Sequence, residues 1–133
     1  MKIAIGNDLV YLPEFKKSLT AGFRQRVFTQ TEIKQIEEYK AHPLVRYATT
    51  WAAKEAVCKA LQQLFKSPLG LKWKDIEILR NGKIPSVEIK KTRFRAIFFS
   101  LSLSHEKDYA AAVVLAFSKK ASPLPAGRPE GRG

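Results

Sequence analysis

At 133 residues the chain is long enough for one compact domain with a real core and too short for two, and 45% hydrophobic content with 8 Phe and 2 Trp excludes a disordered chain. The 24 Lys and Arg against 12 Asp and Glu leave +12, a field that attracts phosphates, nucleic acid or an acidic protein without choosing among them. A single cysteine, Cys58, excludes an internal disulfide; with no apolar run of membrane-spanning length and no secretory leader pattern, the expected setting is a reducing cytoplasm and no membrane.

Residues 2–10, KIAIGNDLV, alternate as a strand that runs into a polar point at Asn7 and Asp8. Pro13 opens a short basic helix, PEFKKSLTAGF. Thr29 followed three residues later by Glu32 forms a capping box for a second helix, TEIKQIEEYKAH, ended by His42 and Pro43. The longest helical segment, Leu44 to Phe65, is Ala-rich with Tyr47, Trp51, Cys58 and Leu61 near a three-four repeat, the pattern of a helix buried over much of its circumference. Beyond Ser67-Pro68-Leu69-Gly70 the period becomes two: WKDIEILR, a turn at Asn81-Gly82, PSVEIKK, AIFFSLSLSH and YAAAVVLAF, an expected run of four antiparallel strands. The fold class is therefore α+β, one domain over residues 1–117. Residues 118–133 hold 3 of the 7 Pro and 3 of the 7 Gly and read as a flexible basic tail.

Glu55 and Lys59 are four apart and share a helix face, with Trp51 one turn below. That spacing also describes an ordinary surface ion pair, but alanines at 52, 53, 56 and 60 allow another element to approach closely. An acid at the position of Asp8 commonly forms a loop or caps a helix. Joined to Glu55, it offers two hard carboxylates, the usual protein share of a magnesium site, and no His/Cys cluster favours zinc. Ser102-Leu103-Ser104-His105 is either a half-buried strand with serines outward or part of a site. Neither a nucleophile elbow, a Walker loop nor a dinucleotide glycine pattern occurs, so phosphate chemistry here calls for metal and lysine.

Ile5 to Val10 resembles the opening Gly-x-Asp-Ile-Val element of the holo-acyl-carrier-protein synthase family, and Val27-Phe28-Thr29 with Glu32 resembles its (Phe/Leu)-Thr-x-x-Glu element. WAAKEAVCKA, residues 51–60, is similar to its helix signature Trp/Phe-x-x-Lys-Glu-Ala-x-x-Lys-Ala. Asp75 to Ile78, Asn81-Gly82-Lys83 with Pro85, and Ser102 to His105 followed by Tyr109 to Val113 complete an ordered set over residues 3–117. The resemblance implies a phosphopantetheinyl-transferase-like fold and transfer of 4'-phosphopantetheine from coenzyme A to a serine of an apo acyl carrier protein, releasing adenosine 3',5'-bisphosphate in fatty-acid synthesis. By it, Asp8 and Glu55 bind Mg2+ at the coenzyme's diphosphate and Lys59 stabilises phosphate charge or assists the serine. Lys54, Pro85, Ser104 and His105 are implied to lie against the coenzyme. Lys16, Lys17, Arg24 and Arg26 are implied to meet an acidic carrier protein. A homotrimer with sites between protomers is expected, His105 facing a neighbour's Asp8 and Glu55. The alternative is a non-catalytic member that binds a carrier or coenzyme A. Nucleic acid is not expected, since no aromatic RNA-binding signature, zinc pattern or recognition helix accompanies the charge.

This sequence departs from the family at four places. Tyr11 and Glu14 replace an acid and an arginine, Thr49-Thr50 replaces Gly-Arg, and Gln62-Gln63-Leu64 replaces a Gly-Thr-Gly turn. Thr49-Thr50 and Gln62-Gln63 are expected beside the coenzyme cleft, with weaker or altered contacts there.

Overall fold

The structure, a computed structural model, describes residues 1–119. Strand β1 (Lys2–Tyr11) leads into helices α1 (Leu12–Ser18), α2 (Ala21–Val27), α3 (Gln30–Glu38) and α4 (Pro43–Leu64). Strands β2 (Ile76–Asn81), β3 (Ile84–Ile89), β4 (Ile97–Glu106) and β5 (Tyr109–Ser118) follow. The α+β class is as expected. Three helices were expected where four form, because the basic segment after Pro13 breaks at Thr20. The Thr20 hydroxyl accepts the Phe23 N–H at 3.1 Å and starts α2. Pro43, expected to end α3, instead occupies the first turn of α4, where a missing N–H costs nothing.

The second half is not one four-stranded run. β1, β5 and β4 form an antiparallel sheet in that order, while β2 and β3 pair only with each other. The N-terminal strand takes the place beside β5, with Lys2 opposite Ser118 and Tyr11 opposite Tyr109. The β2–β3 loop is Gly82–Lys83, and Gly82 adopts φ +65, a conformation that favours glycine. Ser118, assigned to the tail by composition, is the buried last residue of β5, so the folded unit runs past 117. The rest of the tail lies outside the described residues, apart from Lys119.

Helix α4 is the axis of the molecule. It packs on the sheet formed by β1, β5 and β4, and on its other sides meets α1, α3 and β2. Its alanines 48, 52, 53, 56 and 60 are all fully buried, which explains why no single apolar stripe marks the helix. An edge-on aromatic series, Phe15–Phe23–Trp51–Trp73, joins α1 and α2 to α4 and the turn before β2. Among the described residues, no helix is long and apolar enough to cross a membrane.

The capping box expected from Thr29 and Glu32 is present. Its glutamate does more than cap. Glu32 Oε1 accepts the Thr29 N–H and lies 2.8 Å from Lys54 Nζ, while Oε2 accepts the Ile78 N–H at 2.7 Å. One buried carboxylate thus ties α3, α4 and β2 together.

Candidate active site

The site begins with a close approach. Side chains at even positions of β1 turn toward α4, and a methyl group at position 6 would stand 1.9 Å from the Ala56 carbonyl oxygen. Only glycine lets the strand lie so near the helix backbone. Two residues on, Asp8 therefore meets the α4 face that carries Glu55 and Lys59. The Lys59 ammonium donates to Asp8 Oδ1 at 3.1 Å and to the Asn7 carbonyl at 3.0 Å. Asp8 Oδ2 is buried with no hydrogen-bond partner. Burial, followed by hydrogen bonding to Asp8 and its negative charge, pushes the Glu55 carboxyl up to about 7 against the opposing pull of Lys59. When both carboxyls are ionised neither can donate, and Asp8 Oδ2 is left unsatisfied; when Glu55 holds a proton, that proton bridges them. Two crowded carboxylates with one orphaned oxygen suit a hard divalent cation, so Asp8 and Glu55 fit the implied metal.

Lys54 is not part of this surface. Its ammonium is fully buried and saturated by Glu32 and by the carbonyls of Val27 at 2.8 Å and Trp73 at 2.9 Å. Desolvation lowers its pKa, and Glu32 opposes that shift. The expectation that Lys54 touches the coenzyme fails on this geometry: five positions, about 140° around the helix axis, separate this inward lysine from the outward Lys59. Cys58, beside Glu55, is no nucleophile at neutral pH, since burial and then the Glu55 charge push its thiol up to about 11.

Pro85, Ser104 and His105 converge on a cleft of about 380 Å³ between the N-terminal half of α4, the β2–β3 hairpin and the end of β4. Arg46, Arg80 and Lys83 also line it, and no Asp or Glu does. Thr49 lines the same cleft. The side chain of Gln63 instead binds the edge of β1, donating to the Ile5 carbonyl at 2.9 Å and accepting its N–H at 3.3 Å. Gln62 lines a separate groove with Cys58, Leu69 and Trp73. Of the residues expected to meet a carrier protein, Lys16, Lys17 and Arg26 are exposed on α1 and α2, whereas Arg24 is half-buried and donates to the Leu19 carbonyl at 3.3 Å.

Sequence reasoning missed Arg80. Its two guanidinium nitrogens donate to the hydroxyls of Thr50 and Thr49, each at 2.9 Å. Strand alternation held the clue: Arg80 continues the face of Ile76 and Ile78, both buried, so a charge was bound for the interior.

A small α+β domain with paired carboxylates and a lysine at a helix–strand contact, beside a basic cleft, is equipped to handle phosphate esters. Residues 4–114 match the family model of the 4'-phosphopantetheinyl transferase superfamily, and the chain belongs to that family, in its holo-acyl-carrier-protein synthase branch; it is a transferase. The chain is 34% identical over 119 residues to the holo-[acyl-carrier-protein] synthase of Chlamydia caviae, covering 84% of this chain and 93% of that one. To the enzyme of the same name from Thermodesulfovibrio yellowstonii it is 39% identical over 114 residues, covering 84% and 95%. Its fold matches the Chronobacterium ammoniagenes ACPS–CoA complex with a TM-score of 0.76 at 25% identity, covering 90% of this chain and 100% of the other.

Proposed function

We propose that this protein transfers the 4'-phosphopantetheine arm of coenzyme A to a serine hydroxyl of an acidic apo acyl carrier protein, releasing adenosine 3',5'-bisphosphate. The observation that carries the reading is the meeting of Asp8, Glu55 and Lys59 across the β1–α4 contact, with Asp8 Oδ2 unpartnered. Asp8 and Glu55 would hold a magnesium ion, which would supply neutralising charge at the diphosphate. The serine oxygen bonds to the phosphorus bearing the pantetheine arm as the bond from that phosphorus to the bridging oxygen breaks. The adenosine bisphosphate leaves with the bridging oxygen, and the serine proton passes to the surroundings of the site. Lys59, anchored on Asn7 and Asp8, keeps its ammonium where charge builds on the phosphate oxygens.

The exposed α1–α2 side chains Lys16, Lys17 and Arg26 suit an acidic carrier surface. A homotrimer is supported by the outer face of the β1–β5–β4 sheet, where Ile3, Ile5, Leu9, Val113 and Leu115 stand exposed in neighbouring rows. In it, Pro85, Ser104 and His105 would bring the nucleotide cleft against a neighbour's Asp8 and Glu55. The setting read from the sequence is the cytoplasm, and the carrier serves fatty-acid or secondary-metabolite synthesis.

The deciding experiment incubates the protein with coenzyme A, Mg2+ and an apo carrier protein and weighs the carrier by mass spectrometry. A gain of one phosphopantetheine, with kcat down by about 10²–10³-fold in Glu55→Gln, is expected. An unmodified carrier, or normal turnover in the variant, refutes the reading.

A further inference from the structure

The Arg80 guanidinium is an unusual cation. It is half-buried, its donors rest on two neutral hydroxyls, and among the described residues no carboxylate lies within ion-pair distance of it. The charge that acts on it most strongly is another guanidinium, Arg46. Desolvation, then Arg46, pulls the Arg80 pKa down to about 10, with only Glu32 opposing. A buried charge without a counter-charge is costly, and this one is held in place rather than allowed to escape to water. Gln35 clamps the Arg80 backbone from α3, its amide oxygen accepting the Arg80 N–H at 2.9 Å and its amide nitrogen donating to the Arg80 carbonyl at 3.3 Å. Thr49 in turn donates its hydroxyl proton to the Arg46 carbonyl at 3.2 Å, fixing the oxygen that faces Arg80.

This rigid guanidinium opens on a cleft that also holds Arg46, Lys83 and His105 and has no acid in its lining. The missing partner is an anion. We infer that Arg80 is a specificity-determining residue that holds a phosphate monoester at the nucleotide end of the substrate, the guanidinium coming from the hairpin rather than from α4. The identity of that monoester as the ribose 3'-phosphate rests on coenzyme A being the substrate. None of Asp8, Glu55 and Lys59 lines this cleft, so it is a site apart from the carboxylate pair of its own chain. Two separate anion sites suit a ligand with two separate phosphate groups: the diphosphate belongs with Asp8, Glu55 and Lys59, the monoester with Arg80. Thr49 and Thr50, which stand where the family carries Gly-Arg, are the support for this arginine.

The test compares coenzyme A with 3'-dephospho-coenzyme A in the wild type, Arg80→Met and Arg80→Lys, with thermal melting to establish that each is folded. Loss of a charge-assisted phosphate contact is expected to raise KM for coenzyme A roughly 10- to 100-fold in Arg80→Met. The preference for coenzyme A over its dephospho form should shrink by the same factor. Arg80→Lys should fall between, since an ammonium cannot bridge both hydroxyls and the phosphate. An equal loss against both substrates, or an unchanged preference, overturns the inference and leaves Arg80 a packing residue. If the wild type turns over neither substrate, the transferase reading fails on its own. Calorimetry with adenosine 3',5'-bisphosphate against adenosine 5'-monophosphate then decides for Arg80: a preference abolished by Arg80→Met supports the assignment, and equal binding overturns it.

Discussion

Replacing Lys54 with methionine separates a structural lysine from a coenzyme-binding one. The wild-type ammonium satisfies three acceptors, Glu32 Oε1 and the carbonyls of Val27 and Trp73, with both side chains of the ion pair wholly buried. Methionine nearly conserves the volume, so the cost comes from charge and hydrogen bonding. Glu32 keeps the N–H groups of Thr29 and Ile78 but loses the one buried counter-ion it has among the described residues, and two carbonyls lose a donor. Breaking a buried pair from one side costs about 3–5 kcal/mol. For a domain of this size that lowers Tm by roughly 10–20 °C. Melting followed by circular dichroism supplies the measurement. Pairing the change with Glu32→Gln should recover part of the loss, because removing both charges leaves no buried carboxylate alone. A Tm within about 2 °C of wild type, together with a raised KM for coenzyme A, would refute the structural role and restore Lys54 to the coenzyme.

Glu55 predicts a pH dependence in chelator-treated protein. Its folded pKa, pushed up to about 7 from 4.5, lies above the unfolded value, so its contribution to stability is complete below about 4.5 and lost as pH rises through 7. Adding Mg2+ should therefore raise Tm more at pH 8 than at pH 5, and an equal rise at both would sink the metal assignment. Gly6→Ala forces a methyl group into the Ala56 carbonyl and should cost about 1–3 kcal/mol as β1 shifts. Its folded fraction should also lose transfer activity by mass spectrometry; full activity per folded molecule would show that the close approach is not what positions Asp8. Leu9→Lys places a charge in the exposed apolar rows of the sheet, and light scattering should report monomers for it and the proposed trimer for the wild type. Trimers persisting in that variant would move the interface elsewhere.

Local chemistry was enough for several elements. The Thr29–Glu32 box and the long helix rest on interactions within a few residues, and these formed where the sequence placed them. Asp8, Glu55 and Lys59 were legible as candidates because motif and helical spacing are one-dimensional properties. Their meeting depends on Gly6, whose missing side chain matters only against a helix 50 residues away. The same limit hid the roles of lysines 54 and 59. Both sit on α4, but only packing decides that Lys54 ends between two carbonyls and Glu32 while Lys59 reaches Asp8 at the surface. Sheet order was also beyond the sequence, since β1 pairs with β5 across the entire chain and alternation is silent about partners. Thr49-Thr50 looked like the loss of an arginine; in three dimensions, Arg80 brings a guanidinium to the same two residues from a different element. Hydroxyl and guanidinium lie 30 positions apart in sequence, and only the docking of the hairpin on α4 brings them to 2.9 Å.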